Sequence, residues 1–311
     1  MYEDVHVSPM LIGIEKEAFD DRNFIYELKL DGIRVLVYIE NGHVDIRNKR
    51  GDKLLYKFPE LEDMYKQVKQ DCILDGELYC FGNGEIDFFE IQKRSLLTDK
   101  FKIMMASKQH PASFTAFDIL YVKEKSLLKT PLLKRKSILS KNVVENHQIS
   151  ISRYVEEQGK ALFQLTTQKH LEGIVAKRKD SLYSCGKRTK DWIKCKNMMD
   201  EDFVIVGYIR KDKNMVSLVL AQYDDKELLY KGHVTLGVSL SYLQKHSNKT
   251  NVCPFPSVPN GNEDAVWISP YLVGCVKFMQ HTKNGGMRQP VFKGFREDKT
   301  PEECRVLLFT A

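Results

Sequence analysis

Lys29 sits in the stretch YELKLDGIRVLVYIENGHV, where a Lys-Leu-Asp-Gly turn separates two apolar-rich runs. A lysine at such a corner is either a solvated surface charge or an amine held out for nucleophilic attack. The pattern K-x-D-G alone decides nothing, since about one random chain in ten to twenty of this length carries it by chance. The segments downstream of it carry more. Asp75-Gly76-Glu77 places two carboxylates on one face of a strand, because strand side chains repeat every second residue. Glu172 and Lys177, in EGIVAK, add an acid and a base from a second buried strand. WIKCK sets Lys194 and Lys196 on one face of a third, and MRQPVFKGFREDK contributes Arg288, Arg296, Asp298 and Lys299.

These residues need elements to hold them. FIYELKL and IRVLVYI read as strands, rich in β-branched and aromatic residues. Asn41-Gly42 closes a hairpin onto VDIRN, the favoured pair where both turn residues take positive φ. ILDGELYC, SFTAFDILYV, EGIVAKRK and DWIKCK are further strands. PELEDMYKQVK, LLKTPLLKRKSILSKNVV and GKALFQLTTQKH have helical spacing. Beyond Asp200-Glu201-Asp202 the texture changes to short strands, FVIVGYIR, VSLVLAQYD, ELLYKGHVT and GCVKFMQHT, spaced as in a small barrel, with LSYLQKHS as its one helical stretch. The expected organisation is α+β, with one domain over 1–200 and an all-β domain over 201–311.

Composition agrees with two folded domains. The 311 residues are 42 % hydrophobic and 10 % aromatic, enough for real cores. No run approaches the roughly 18 apolar residues of a membrane span, and the acidic start MYEDVHVS is no signal peptide. Seven scattered cysteines without a C-x-x-C pair argue against a zinc ribbon and suit a reducing cytoplasm. The net charge is +6, and residues 177–196 alone hold eight Lys/Arg against two Asp. A charge run is commonly a solvated face. Here the basic residues, Lys187 and Arg188 among them, alternate with Leu182, Tyr183, Trp192 and Ile193, which suits a packed strand offering cations to phosphate or nucleic acid.

KLDG, DGE, EGIVAK, WIKCK and REDK together, in that order from about Tyr26 to Lys299, resemble the covalent nucleotidyltransferases and, within them, the ATP-dependent DNA ligases. The ending MRQPVFKGFREDKTPEEC is most similar to the ligase module of bacterial double-strand-break repair enzymes and their stand-alone relatives. The resemblance implies a nucleotidyltransferase domain followed by an OB barrel, and sealing of 5′-phosphate/3′-hydroxyl nicks through Lys29-AMP and AMP-DNA. It implies Arg34 and Glu77 near the ribose, Phe117 stacked on adenine and Glu27 near the adenine edge. Lys177 joins the ATP-binding residues, Lys194 and Lys196 fall near the α-phosphate, and Glu77 and Glu172 become ligands for Mg²⁺, with Mn²⁺ as a substitute. The chemistry explains these types: an ordinary lysine is protonated at pH 7 and cannot attack, and neighbouring cations favour the free amine. Arg288, Arg296, Asp298 and Lys299 are implied to close over ATP and orient the departing pyrophosphate, with Asp200-Glu201-Asp202 as the hinge.

One departure stands out. The family carries Ser/Thr-Arg after the hairpin strand, whereas this chain reads Arg47-Asn48-Lys49-Arg50-Gly51, with Lys49 at the arginine position and Arg50 beside it. A lysine there is a point charge where arginine is a bidentate fork. Two other readings compete: an RNA ligase or GTP-dependent capping enzyme using the same chemistry, and a non-catalytic nucleic-acid module with a degenerate transferase domain. Every residue type that the chemistry needs is present, which disfavours the last. Nothing suggests the nicotinamide-binding head or the zinc cysteines of an NAD-dependent ligase. With Lys29 so near the start, no large domain is expected before it, so a monomer gripping nicked duplex DNA through phosphate contacts would depend on a recruiting partner such as a Ku-type end-binding protein.

Overall fold

The computed structural model describes residues 7–82, 85–212, 215–235, 243, 245–282 and 285–306, and divides the chain into Met1–Asn197 and Met198–Ala311. The first unit runs through β1 (Leu11–Glu15), β2 (Phe24–Leu28), β3 (Ile33–Glu40), β4 (His43–Asn48), β5 (Cys72–Gly82), β6 (Glu85–Ile86), α1 (Phe88–Leu96), α2 (Lys100–Gln109), β7 (Ala112–Val122), β8 (Lys125–Ser126), α3 (Leu132–Asn142), β9 (Ile149–Ile151), β10 (Tyr154–Glu156), α4 (Gly159–Gln168), β11 (Gly173–Arg178) and β12 (Arg188–Lys196). They form two sheets, ordered β1-β12-β11-β2-β10 and β4-β3-β5-β7-β8, with β6 on β5 and β9 on β7. The architecture is α+β.

The sheets follow from the patterning. In β3 every residue from Val35 to Ile39 is buried, so the strand is covered on both faces. Val35, Val37 and Ile39 join Leu74, Leu78, Phe114 and Ile119 in one core, while Leu36 and Tyr38 join Ile73, Leu120, Tyr183 and Trp192 in another. Asn41 and Gly42, at φ 51° and 76°, close the β3–β4 hairpin as their residue types require. Gly32 is fixed by proximity: a Cβ there would sit 2.2 Å from the Leu78 carbonyl oxygen. The K-x-D-G corner therefore packs its backbone directly onto β5.

Buried charges tie the helices down. Arg135 of α3, fully buried, donates two hydrogen bonds of 2.8 Å to the Asp118 carboxylate on β7. Arg94 of α1, equally buried, is ion-paired with Glu60 and donates to the carbonyl oxygens of His110 and Lys57 at 2.9 and 3.0 Å. Each guanidinium satisfies several acceptors at once, which a buried cation needs.

Three details differ from the sequence reading. Pro59–Gln67 is a 3-10 helix, with Leu61 and Met64 buried one three-residue turn apart. Helix α2 escapes the periodicity because its outward face carries Phe101, Met104 and Met105, and α1, with Phe89 and Leu96 exposed, is only nine residues long. Their N-caps are nonetheless written in the sequence, since Asp87 and Asp99 accept from the backbone amides of Glu90 and Lys102. Most of LSYLQKHS lies outside the described residues.

The second unit consists of β13 (Met199–Asp212), β14 (Met215–Asp224), β15 (Glu227–Thr235), β16 (Val266–Phe278) and β17 (Val291–Phe295), in one antiparallel sheet ordered β15-β14-β13-β16-β17. β15 and β17, at its two ends, touch each other, so the sheet curls. Phe203, Tyr208, Leu218, Val234, Val276 and Phe278 fill its interior. Asp200-Glu201-Asp202, expected as a hinge, lies inside β13, where the three residues pair with Lys277, Val276 and Cys275 of β16. Alternation explains this: Asp200 and Asp202 find cations in Lys293, Arg296 and Lys299, while Glu201 on the other face meets His281. The triplet is a ladder segment rather than a linker.

Candidate active site

Lys29 is the first residue beyond β2. Its amide donates to the Gly173 carbonyl at 2.9 Å, extending the β2–β11 ladder by one step. That register sets its side chain next to the residue preceding Gly173, and Lys29 Nζ lies 2.7 Å from Glu172 Oε1. The lysine side chain keeps about a fifth of its surface exposed while the Glu172 side chain is almost covered. Oε2 of Glu172 is buried without a hydrogen-bond partner.

Glu77 comes to the same place from the other sheet. Burial pushes its carboxyl up to about 8, against the pull of Lys29 and Arg34, and the negative charges of Glu172 and Asp75 raise it further. Glu77 still keeps some contact with solvent. Arg34, its cross-strand partner on β3, donates to Asp75 at 3.0 and 2.7 Å, and that buried carboxylate also accepts from the Tyr183 hydroxyl at 2.6 Å. Of the two acids in DGE, Asp75 is thus consumed holding Arg34 and Tyr183, and Glu77 is the one left to face Lys29.

Glu27, buried on β2, is ion-paired with Lys136 of α3 and accepts from Lys177 Nζ at 2.8 Å and Ser152 Oγ at 3.0 Å. Burial raises the carboxyl, but the two lysines outweigh it and hold Glu27 below its ordinary value. Lys177 is pushed down to about 8, first by burial, with Lys136 adding to the effect and Glu27 opposing it. Its amine stands 4.2 Å from the centroid of Phe117 and 4.3 Å from that of Trp192. The Arg34 guanidinium lies 5.1 Å from the Phe117 centroid. Phe117 is half-buried, so it is a ring with cations at hand and part of its surface still open.

Lys194 pairs with Glu15 at 3.1 Å. Lys196, one step along the same face of β12, is shifted down by burial and by the positive charges of Lys194 and Lys29, with Glu15 and Glu172 opposing. The structure therefore brings Lys29, Arg34, Glu77, Glu172 and Lys196 into one field of charge, and Glu27, Lys177 and Phe117 into another that Arg34 also borders.

Other sequence candidates lie apart from these. Lys49 and Arg50 are exposed on the turn after β4 and line an open groove of about 640 Å³ with Arg47, Lys53 and Tyr38. Arg47 itself is held by Asp45 at 2.7 Å and lies over the Tyr38 ring at 4.2 Å. Lys187 and Arg188 are exposed at the start of β12, and Arg188 donates to the Ile12 carbonyl. In the second unit Arg296 makes a bidentate pair with Asp298 at 2.8 and 2.7 Å, and Lys299 reaches Asp202 at 2.6 Å. Arg288 is mostly buried and lowered by that burial. Sequence reasoning missed Lys136, Ser152, Tyr183 and Trp192 as site residues, and Asp202 as the partner of the REDK cations. Only Trp192 and Tyr183 carried a signal, as aromatics inside the basic segment.

With this geometry in place, comparison with known proteins is decisive. The family model described as ATP dependent DNA ligase domain matches residues 9–196, and that described as ATP dependent DNA ligase C terminal region matches residues 211–299. The chain belongs to the ATP-dependent DNA ligase family. It is 30 % identical over 292 residues to the SPbeta prophage-derived DNA ligase-like protein LigB of Bacillus subtilis (strain 168), covering 93 % of this chain and 99 % of that one. It is 28 % identical over 311 residues to the multifunctional non-homologous end joining protein LigD of Mycolicibacterium smegmatis, where it spans 95 % of this chain and 39 % of LigD. Among solved structures, a mycobacterial DNA ligase D complexed with ATP and MES is similar, with TM-score 0.57, 26 % identity and coverage of 96 % and 97 % of the two chains.

The ligase thus has the expected nucleotidyltransferase and OB-fold domains, and the family is ATP-dependent and acts on DNA. Among the described residues no helix is long and apolar enough to cross a membrane.

Proposed function

We propose that the ligase seals 5′-phosphate/3′-hydroxyl nicks in duplex DNA with Lys29 as the nucleophile. The observation that carries this is the Lys29 amine at the end of β2, 2.7 Å from Glu172 and within the field of Glu77. In the first step the unprotonated Nζ attacks the α-phosphorus of ATP, the bond to pyrophosphate breaks, and a lysyl-AMP phosphoramidate forms with loss of the amine proton. Glu172 Oε1 is placed to hold that proton. In the second step a 5′-phosphate oxygen takes the adenylyl group and returns Lys29 to the free amine. In the third, the 3′-hydroxyl attacks that phosphate and AMP leaves.

The base is assigned to the open part of Phe117, with Glu27 and Lys177 at its edge and Arg34 and Glu77 toward the ribose. Lys194 and Lys196 supply positive charge for the α-phosphate, and Lys49 or Arg50 a further phosphate contact. Arg288, Arg296, Asp298 and Lys299 act in the pyrophosphate step, and Lys187 and Arg188 on the DNA backbone. Glu77 and Glu172 fit a Mg²⁺ ion that keeps water and phosphate as its other ligands: two acids meet there, and one buried carboxylate oxygen has no hydrogen-bond partner. Among the described residues no group of three His, Cys, Asp or Glu would hold a metal alone. Such an ion, or Mn²⁺ in its place, supplies charge neutralisation for the phosphates.

DNA repair is the proposed role, for a bacterial or phage-encoded enzyme of the cytoplasm at the nucleoid, with a Ku-type end-binding protein as recruiter. The likeness to LigD, a non-homologous end joining protein by name, supports this. The test is incubation with Mg²⁺ and α-labelled ATP or GTP. A labelled adduct forms with ATP, and Lys29→Ala lowers it by at least about 10⁴-fold. No adduct with ATP sinks the reading, an adduct with GTP alone indicates capping chemistry, and sealing of nicked RNA but not DNA indicates an RNA ligase.

A further inference from the structure

Lys136 follows Arg135 on α3 and is only 4 % exposed, rare for a lysine. Its amine is ion-paired with Oε1 of Glu27. Oε2 of the same carboxylate accepts from Lys177 and Ser152. Two lysines therefore share one acid where water is excluded, and a surplus positive charge is held there at a cost in solvation. The neighbouring Asp118 also acts on Lys177, but it is itself paired with Arg135 and offsets the surplus only in part. The surplus is directed at one place, because the Lys177 amine stands against the rings of Phe117 and Trp192.

Lys177 alone would neutralise Glu27. With Lys136 also present, Lys177 can turn its hydrogens to a ligand on Phe117 without stranding a buried carboxylate. We infer that Lys136 is a positioning residue for base selection, fixing Glu27 through Oε1 so that Oε2 and the Lys177 amine form a set acceptor–donor pair beside Phe117. The inference rests on the reading that the base stacks on that ring. Adenine offers an amine donor at position 6 and an acceptor nitrogen at position 1, whereas guanine offers a carbonyl acceptor and an N–H donor there. A carboxylate oxygen beside a protonated amine matches the first order and opposes the second. Accepting guanine requires acid and amine to exchange places, and Lys136 anchors the acid against that exchange.

The test measures adduct formation across ATP and GTP concentrations for wild type, Lys136→Met, Lys136→Arg, Glu27→Gln and the Glu27→Gln/Lys136→Met double variant, with a thermal melt of each. Lys136→Met is expected to raise KM for ATP about tenfold, to leave the limiting rate within about threefold, and to lower the preference for ATP over GTP about tenfold. Lys136→Arg restores the preference, and the double variant is no worse than Glu27→Gln alone. Should Lys136→Met melt too low to assay, Lys136→Gln carries the same expectation. A folded Lys136 variant with unchanged KM and preference, beside a wild type that labels with ATP, overturns this inference alone. So do single effects that multiply in the double variant. A wild type that forms no adduct overturns the reading of the site and this inference with it.

Discussion

Two acid–cation sets in this ligase use the same residue types in opposite surroundings. In the first unit, Glu27, Lys136 and Lys177 meet with side chains 2–3 % exposed, and Arg135 meets Asp118 with both at zero. In the second, Arg296 and Asp298 pair with side chains 36 % and 68 % exposed, and Lys299 and Asp202 are partly exposed beside them. A buried pair draws its strength from the absence of water and leaves a stranded charge when one member is lost. A pair in water is screened, and its members can part at little cost. The first arrangement fixes geometry. The second leaves its side chains able to part from one another.

The contrast is largest for stability. Arg135→Met leaves Asp118 charged and buried and is expected to lower unfolding free energy by about 3–5 kcal/mol in urea titration. A loss below about 1 kcal/mol would erase the distinction drawn between the two units.

Next comes pH. The Glu77 carboxyl stands at about 8 in the folded chain, above its usual 4.5. Between those values the folded chain keeps a proton that the unfolded chain releases, so stability is greatest at the acid end and declines as pH rises toward 8. Glu77→Gln is expected to remove that part of the decline. Melts without divalent cation across the interval read it, and identical slopes in the two proteins count against a desolvated Glu77.

The smallest stability effect is that of Lys299→Ala, below about 1 kcal/mol. The same change is expected to slow lysyl-AMP formation about a hundredfold, while sealing of a pre-adenylated nick stays within a few-fold. Equal loss in both steps would remove the pyrophosphate role.

The strands around the site were legible in sequence, because DGE, EGIVAK and WIKCK each sit in an apolar run that reads as a buried strand and KLDG is the corner between two more. Lys29, Glu77, Glu172 and Lys196 consequently meet where their motifs suggest. Lys136 was illegible: its partner Glu27 is remote in sequence, and the KRK in which it lies reads as an ordinary exposed helix face. α2 was hidden for the reverse reason, apolar residues that face outward and blur the helical period, and α1 by its short length. The acidic triplet misled because acidity suggests a linker, whereas in β13 Asp200 and Asp202 have cations beside them and Glu201 is bonded to His281.

Gly173 has a consequence of its own. At φ +132° it accepts the Lys29 amide, and a Cβ there would lie 2.1 Å from the Cys195 carbonyl oxygen. The spacing between the Lys29 amine and Glu172 is therefore written in main chain, through a position with no room for a side chain. A saturation library should find that column empty but for glycine, and a designer seeking to retune this enzyme should vary the side chains that converge on the site and leave that joint alone.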